Sequence, residues 1–143
     1  FKVNLFAPFF LVQNLYKNLI KSKNPSIINI GSIYGYIAPD FNLYKGTKMT
    51  NPASYNSSKG ALAQLTKWMS SNLAPKIRTN IISPGGIFRN QNKTFLKRYN
   101  FKNPLKKMAT EKDISNLVEF LISDHANYLN GQNIFVDGGF SNL

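Results

Sequence analysis

The run Ser26-Ile27-Ile28-Asn29-Ile30-Gly31-Ser32 decides the fold. Three of its first five residues are β-branched isoleucines, and a glycine follows them. That reads as a short buried strand. The same signature returns at Ile77 to Ser83, closed by Pro84-Gly85-Gly86, and at Asn133 to Val136, closed by Asp137-Gly138-Gly139. Helical spacing fills the intervals. Asn51-Pro52 predicts a helix start, with Asn51 as the cap and Pro52 at the first helical position. Ala61, Leu62, Leu65, Met69 and Leu73 share the face of that helix, and Pro75 closes it. Glu111 to Ile122 predicts another, with Ile114, Leu117, Val118 and Leu121 inward. Upstream, Leu5, Phe9, Val12, Tyr16, Leu19 and Ile20 predict a helix over residues 5–20. Residues 34–51 and 88–110 show no period, so they read as a loop and an irregular basic lobe.

Strands separated by helices imply right-handed crossovers and an α/β fold, a doubly wound parallel sheet with helices on both faces. Ligands of such sheets bind beyond the carboxyl ends of the strands. Ser32 and Pro84-Gly85 lie at two of those ends, and Tyr55 begins the helix between them.

Composition narrows the function. The 143 residues suit one domain, 1–143. The chain opens on Phe1 inside an apolar helical run, so the expectation is a C-terminal portion with its N-terminal part missing. There is no cysteine, and His125 is the only histidine, which excludes thiol chemistry and a histidine-rich metal site. Asp137-Gly138-Gly139 reads as a strand-ending turn, and His125 as a surface residue. No run of about 20 apolar residues is present to span a membrane. Leu5 to Val12 lacks a small-residue cleavage flank and is rejected as a signal segment. A cytoplasmic location is the default. The net charge is +12. No acid lies between Asp40 and Glu111, where Arg89, Lys93, Lys97, Arg98, Lys102, Lys106 and Lys107 alternate with Phe95, Tyr99 and Phe101. Such a stretch fits nucleic acid or an anionic substrate. Lysine far outnumbers arginine, however, and favours a plain solvated surface over nucleic acid.

Tyr55 and Lys59 are one helical turn apart and share a face. A free phenol titrates near ~10, too high for proton transfer at neutral pH. Lowering it by about three units takes roughly 4 kcal/mol. An ammonium about 4 Å away supplies that at an effective dielectric of ~20. The pair can therefore handle a proton, with Ser32 holding the reacting oxygen. Tyr44/Lys48 has the same spacing but contains Gly46 and opens no helix.

Ser26-Ile-Ile-Asn-Ile-Gly-Ser32, Tyr55-Asn-Ser-Ser-Lys59-Gly-Ala-Leu62, Ile77-Arg-Thr-Asn-Ile-Ile-Ser-Pro-Gly85, Gly131-Gln132 and Val136-Asp-Gly-Gly139 resemble, in order, the short-chain dehydrogenase/reductase family. The resemblance covers essentially the whole chain, as the C-terminal part of a Rossmann-like domain. It implies an oxidoreductase that moves hydride between NAD or NADP and a carbonyl or alcohol. Tyr55 resembles the acid/base, Lys59 the residue that lowers its pKa and binds the nicotinamide ribose, and Ser32 the residue that orients the substrate oxygen. Pro84, Gly85 and Ile87 resemble the turn along the nicotinamide. Arg89 stands where the family often has Thr, which departs from that contact set. Asn4 resembles the fourth catalytic member, whose helix holds a relay water. Pro8 lacks an N–H and cannot bond the Asn4 carbonyl four residues back, so that carbonyl is expected to be free for such a water. The resemblance further implies a homo-oligomer, tetramer or dimer, through the helices of Asn4 and Tyr55.

Ser32 and Tyr55 are further apart than is usual in the family. The extra residues lie in the 37–47 loop, which resembles that of a branch linked to surface-glycan and sugar biosynthesis. Tyr34, Tyr36, Phe41 and Tyr44 then make a candidate aromatic wall for a sugar. The glycine-rich phosphate loop of the first βαβ unit does not appear in the sequence, so NAD and NADP are not separated. An epimerase or dehydratase on the same scaffold, and a nucleic-acid-binding protein using the basic lobe, are the alternatives.

Overall fold

The computed structural model describes residues 1–142. A π-helical turn, Lys2–Phe6, runs into α1 (Ala7–Leu19). Strand β1 (Ser26–Ile30) follows, then two 3-10 turns, Ile33–Gly35 and Phe41–Leu43. Helix α2 (Ala53–Asn72), strand β2 (Arg78–Pro84), helices α3 (Lys93–Lys102) and α4 (Glu111–Ile122), and strand β3 (Asn133–Val136) complete the order. The sheet is parallel, ordered β1-β2-β3, with Asn29 beside Ile81 and Ile81 beside Asn133.

Successive side chains of β2 alternate between two helical layers. Ile82 faces α4 and packs with Leu121, Ala126, Ile28 and Ile134. The opposite face meets α2, where Asn29 donates to the Thr66 hydroxyl at 2.8 Å and Ile81 packs under Gly31. Helices thus cover both faces. The expectation of right-handed crossovers holds for only one connection. The strands step in one direction while α2 and α4 lie on opposite faces, so the two crossovers have opposite hands.

Two local expectations are corrected. Pro52, not Asn51, is the residue flanking α2, and no side chain caps that end. Asn51 instead turns inward, where its amide donates to the Tyr44 hydroxyl at 3.3 Å. The stretch 88–110 is not irregular throughout: it contains α3. Asn92 caps α3 by accepting from the Thr94 and Phe95 amides, and Phe95 and Tyr99, one turn apart, are its buried residues. The second core lies here, beyond the carboxyl ends of the strands, with Ile33, Leu43, Phe95, Tyr99, Met108 and Phe140. His125 sits in the 3-10 turn Asp124–Ala126. Asp137 accepts from the Gly139 and Ser141 amides in a tight turn after β3. Among the described residues, no helix is long and apolar enough to cross a membrane.

Candidate active site

Ser32 follows β1 directly. Its backbone is extended, and its hydroxyl oxygen accepts from the Tyr34 N–H at 3.2 Å, capping the first 3-10 turn. The hydroxyl proton remains available to donate. That turn touches α2 backbone to backbone. A Cβ on Gly35 would stand 2.7 Å from the carbonyl carbon of Lys59, so only glycine allows the approach. This contact sets the Ser32 segment against the helix that carries Tyr55 and Lys59.

Tyr55 lies in the first turn of α2 and is 37 % exposed. Lys59 lies one turn on. Its ammonium donates to the Ile30 carbonyl at 2.7 Å and sits 5.9 Å from the centre of the Tyr55 ring. Burial lowers the Lys59 pKa from its ordinary value. Lys59 therefore joins the end of β1 to the tyrosine.

Ser32 and Tyr55 line one cavity of about 330 Å³, together with Tyr34, Tyr44, Asn51 and Gly85. Asn4 and Lys59 line a neighbouring one of about 520 Å³, between α1 and β1. The sequence-derived residues are thus divided between two adjoining spaces, with the Tyr55–Lys59 contact at the boundary. The Asn4 amide donates to the Ser58 hydroxyl at 3.0 Å, and that hydroxyl donates to the Tyr55 carbonyl at 2.8 Å. This chain fastens α1 to the first turn of α2. Pro8 falls in the opening turn of α1, and just before it the Ala7 N–H reaches the Lys2 carbonyl five residues back. The backbone around Asn4 is thus a widened π-turn that leads into the turn holding Pro8.

Pro84 ends β2 opposite Val136, and the Gly85 N–H donates to the Val136 carbonyl at 3.0 Å. The Gly86 N–H donates to the Tyr99 hydroxyl at 2.6 Å, which fixes the turn against α3. The Ile87 carbonyl accepts from Gln91 at 2.6 Å. Its N–H has no acceptor among the described residues. Arg89 pairs with Glu111 on the surface.

Of the four aromatics in the expected wall, Tyr34 and Tyr44 line the Ser32–Tyr55 cavity. Tyr36 packs edge-on to Phe135, and Phe41 lies outside Tyr44. Tyr99, Ser58 and Gly35 were missed from sequence. For Tyr99 the usable signal was the Phe95/Tyr99 spacing after Asn92. Ser58 and Gly35 matter through contacts across long stretches of chain, which spacing does not report.

The parallel sheet, with helices on both faces and Ser32, Tyr55 and Lys59 near its carboxyl ends, defines a Rossmann-like α/β fold. The family model described as enoyl-(acyl carrier protein) reductase matches residues 1–141. A 3-oxoacyl-[acyl-carrier-protein] reductase of Buchnera aphidicola (subsp. Baizongia pistaciae) is 37% identical over 142 residues, covering 96% of this chain and 54% of the relative. A post-translational flagellin modification protein A of Campylobacter coli is 34% identical over 129 residues, covering 90% and 50%. The crystal structure of a short chain dehydrogenase from Leptospira borgpetersenii with bound NAD+ superposes with a TM-score of 0.89 at 39% identity, covering 97% of this chain and 54% of that one. The chain belongs to the short-chain dehydrogenase/reductase family. It spans about half the length of the curated relatives it matches.

Proposed function

We propose that the full-length protein transfers hydride between a nicotinamide dinucleotide and a small carbonyl or alcohol substrate. One observation carries this reading: Ser32 and Tyr55 face one cavity beyond the strand ends, with the Lys59 ammonium beside the Tyr55 ring. NAD or NADP, when bound, supplies or accepts the hydride. Residues of this chain fit such a group. The unpartnered Ile87 N–H suits a carboxamide oxygen, and Pro84-Gly85 forms a narrow turn beside it. The Ser32 hydroxyl donates to the substrate oxygen and holds it near Tyr55. The Tyr55 hydroxyl gives that oxygen a proton in reduction and takes it back in oxidation. The Lys59 ammonium stabilises the phenolate left behind. The Asn4 carbonyl, to which Pro8 cannot donate, is assigned a relay on the Lys59 side. The bound NAD+ of the Leptospira relative supports the cofactor assignment.

The full-length protein is also read as a homo-oligomer, a dimer or tetramer, assembled through α1 and α2. Phe10, Leu11, Leu15 and Trp68 are exposed on these helices, and Phe9 packs beside Trp68.

Tyr55→Phe in the full-length protein tests the reaction. It removes one oxygen and leaves the ring, so folding is expected to hold while turnover, followed by nicotinamide absorbance, falls at least about a hundredfold. Activity near the wild-type level would overturn the assignment of Tyr55.

A further inference from the structure

The cavity that holds Ser32 and Tyr55 has a second polar end. Asn51, Tyr44 and Tyr34 form a chain of hydrogen bonds along one wall. The Asn51 amide donates to the Tyr44 hydroxyl at 3.3 Å, and that hydroxyl donates to the Tyr34 hydroxyl at 3.2 Å. All three residues line the cavity, among apolar neighbours that include Ile33, Met49, Phe95 and Met108. A mostly apolar space with a few convergent polar groups is the usual make-up of a small-molecule site.

The chain has an orphaned atom at one end and a spare proton at the other. Asn51 is only 7 % exposed, and its carboxamide oxygen is buried with no partner. Turning the carboxamide over does not cure this. The oxygen would then accept from Tyr44, and the NH₂ group would become the orphan. At the other end, Tyr34 accepts from Tyr44 and keeps its own proton to donate. Burial, with the Tyr44 hydroxyl beside it, pushes the Tyr34 phenol well above its ordinary value, so it stays protonated. An unpaired buried polar group is unfavourable, and a ligand group that pairs with it removes that cost.

We infer that Asn51, Tyr44 and Tyr34 form a specificity subsite for a hydroxyl group carried by the substrate in addition to its reacting carbonyl. The substrate class is then a hydroxylated carbonyl compound or the matching polyol. A hydroxyl is both donor and acceptor, so it pairs with whichever carboxamide atom is left over, and in the orientation observed it also accepts the Tyr34 proton. Pairing with the orphan atom takes a turn of the Asn51 side chain toward the cavity that this residue lines. This inference rests on the hydride-transfer reading for the name of the reaction, but not for the binding.

The surroundings hold the subsite in place. The Tyr44 ring lies 5.2 Å from Phe95 of α3. The loop bearing Tyr44 is fastened to α3 by Arg98, which donates to the Asn42 and Lys45 carbonyls, and by the Lys102–Asp40 ion pair.

The test compares cyclohexanone with the three positional isomers of hydroxycyclohexanone on the nicotinamide-saturated full-length protein. Binding is measured by calorimetry and turnover by nicotinamide absorbance. At least one isomer is expected to bind about tenfold or more tightly than cyclohexanone. Tyr44→Phe keeps the ring against Phe95, and Asn51→Leu keeps the volume. Each is expected to bring that ratio close to one. Equal binding of all four compounds by the wild type overturns the subsite, as does a preference that survives both substitutions. A preference in binding without any turnover supports the subsite and sinks the hydride reading. Turnover without preference does the reverse.

Discussion

Gly35 shows how closely the Ser32 segment is set against α2. A methyl group there would meet the backbone of Lys59 and Gly60 at 2.7 and 2.8 Å, and backbone atoms do not swing aside as a side-chain end does. Gly35→Ala is therefore expected to destabilise the fold by about 1–3 kcal/mol, the usual cost of overpacking. Denaturant unfolding of the full-length protein should show a lower midpoint with an unchanged slope. A midpoint equal to wild type would mean that the contact yields without strain. Ser32, Tyr55 and Lys59 were legible in sequence because each is tied to a local signal: a strand end, or a four-residue spacing on a helix. Asn51 was read as a cap because Asn before Pro is a common helix start. Tertiary contact overrode that preference and turned its side chain to Tyr44, 7 residues away. Tyr44 had been set aside as an acid/base candidate for lack of a following helix, yet it lines the same cavity as Tyr55.

Among elements, α3 was the one that sequence reading missed. Phe101, 81 % exposed, stands two residues after the buried Tyr99 and blurs the apolar stripe. The sheet was easier: each strand is short, carries β-branched residues and is followed within two residues by a glycine. Helix α3 and the 37–47 loop form one wall, and their ion pair gives it a pH dependence. The Asp40 carboxyl is held below its ordinary range, first by the hydrogen bond from Lys102 and then by the Asn42 N–H. A carboxylate with a depressed folded-state pKa adds stability that is fully present above its unfolded value, near ~4. That stability is lost as pH falls through the lower folded value. Lys102→Met removes the chief cause, so it should lower the melting temperature at pH ~7 and have a smaller effect at pH ~3. An equal gap at both pH values would mean that Lys102 acts through its packing over Phe140, where its ammonium lies 5.2 Å from the ring centre.

At the scale of the molecule, the two crossovers of opposite hand follow from where α4 lies, which no local pattern reports. The exposed edge of β1 follows from backbone geometry. The Pro25 carbonyl and the Gly31 N–H bond to β2. In a parallel ladder alternate residues face alternate sides, so the backbone groups of Ser26, Ile28 and Ile30 point away from β2. Lys59 takes the Ile30 carbonyl, but no strand pairs with this edge in the described sheet. Ile30 is 43 % exposed, and Val3 and Leu11, both exposed, line the cavity between α1 and β1. An apolar strand with an unpaired edge is a template for another chain. The 143-residue chain, expressed alone, is therefore expected to self-associate, with a weight-average mass that rises with concentration in sedimentation equilibrium. Ile30→Lys places a charge on this edge and should reduce the association, since edge charges oppose strand pairing. The same 143-residue chain should bind nicotinamide dinucleotide only weakly, because its sequence supplies the Ile87 turn and Lys59 but no glycine-rich loop for the pyrophosphate. A monodisperse monomer across the concentration range would show that α1 and Lys59 already cover the edge, and tight dinucleotide binding would show that the β2 turn is sufficient by itself.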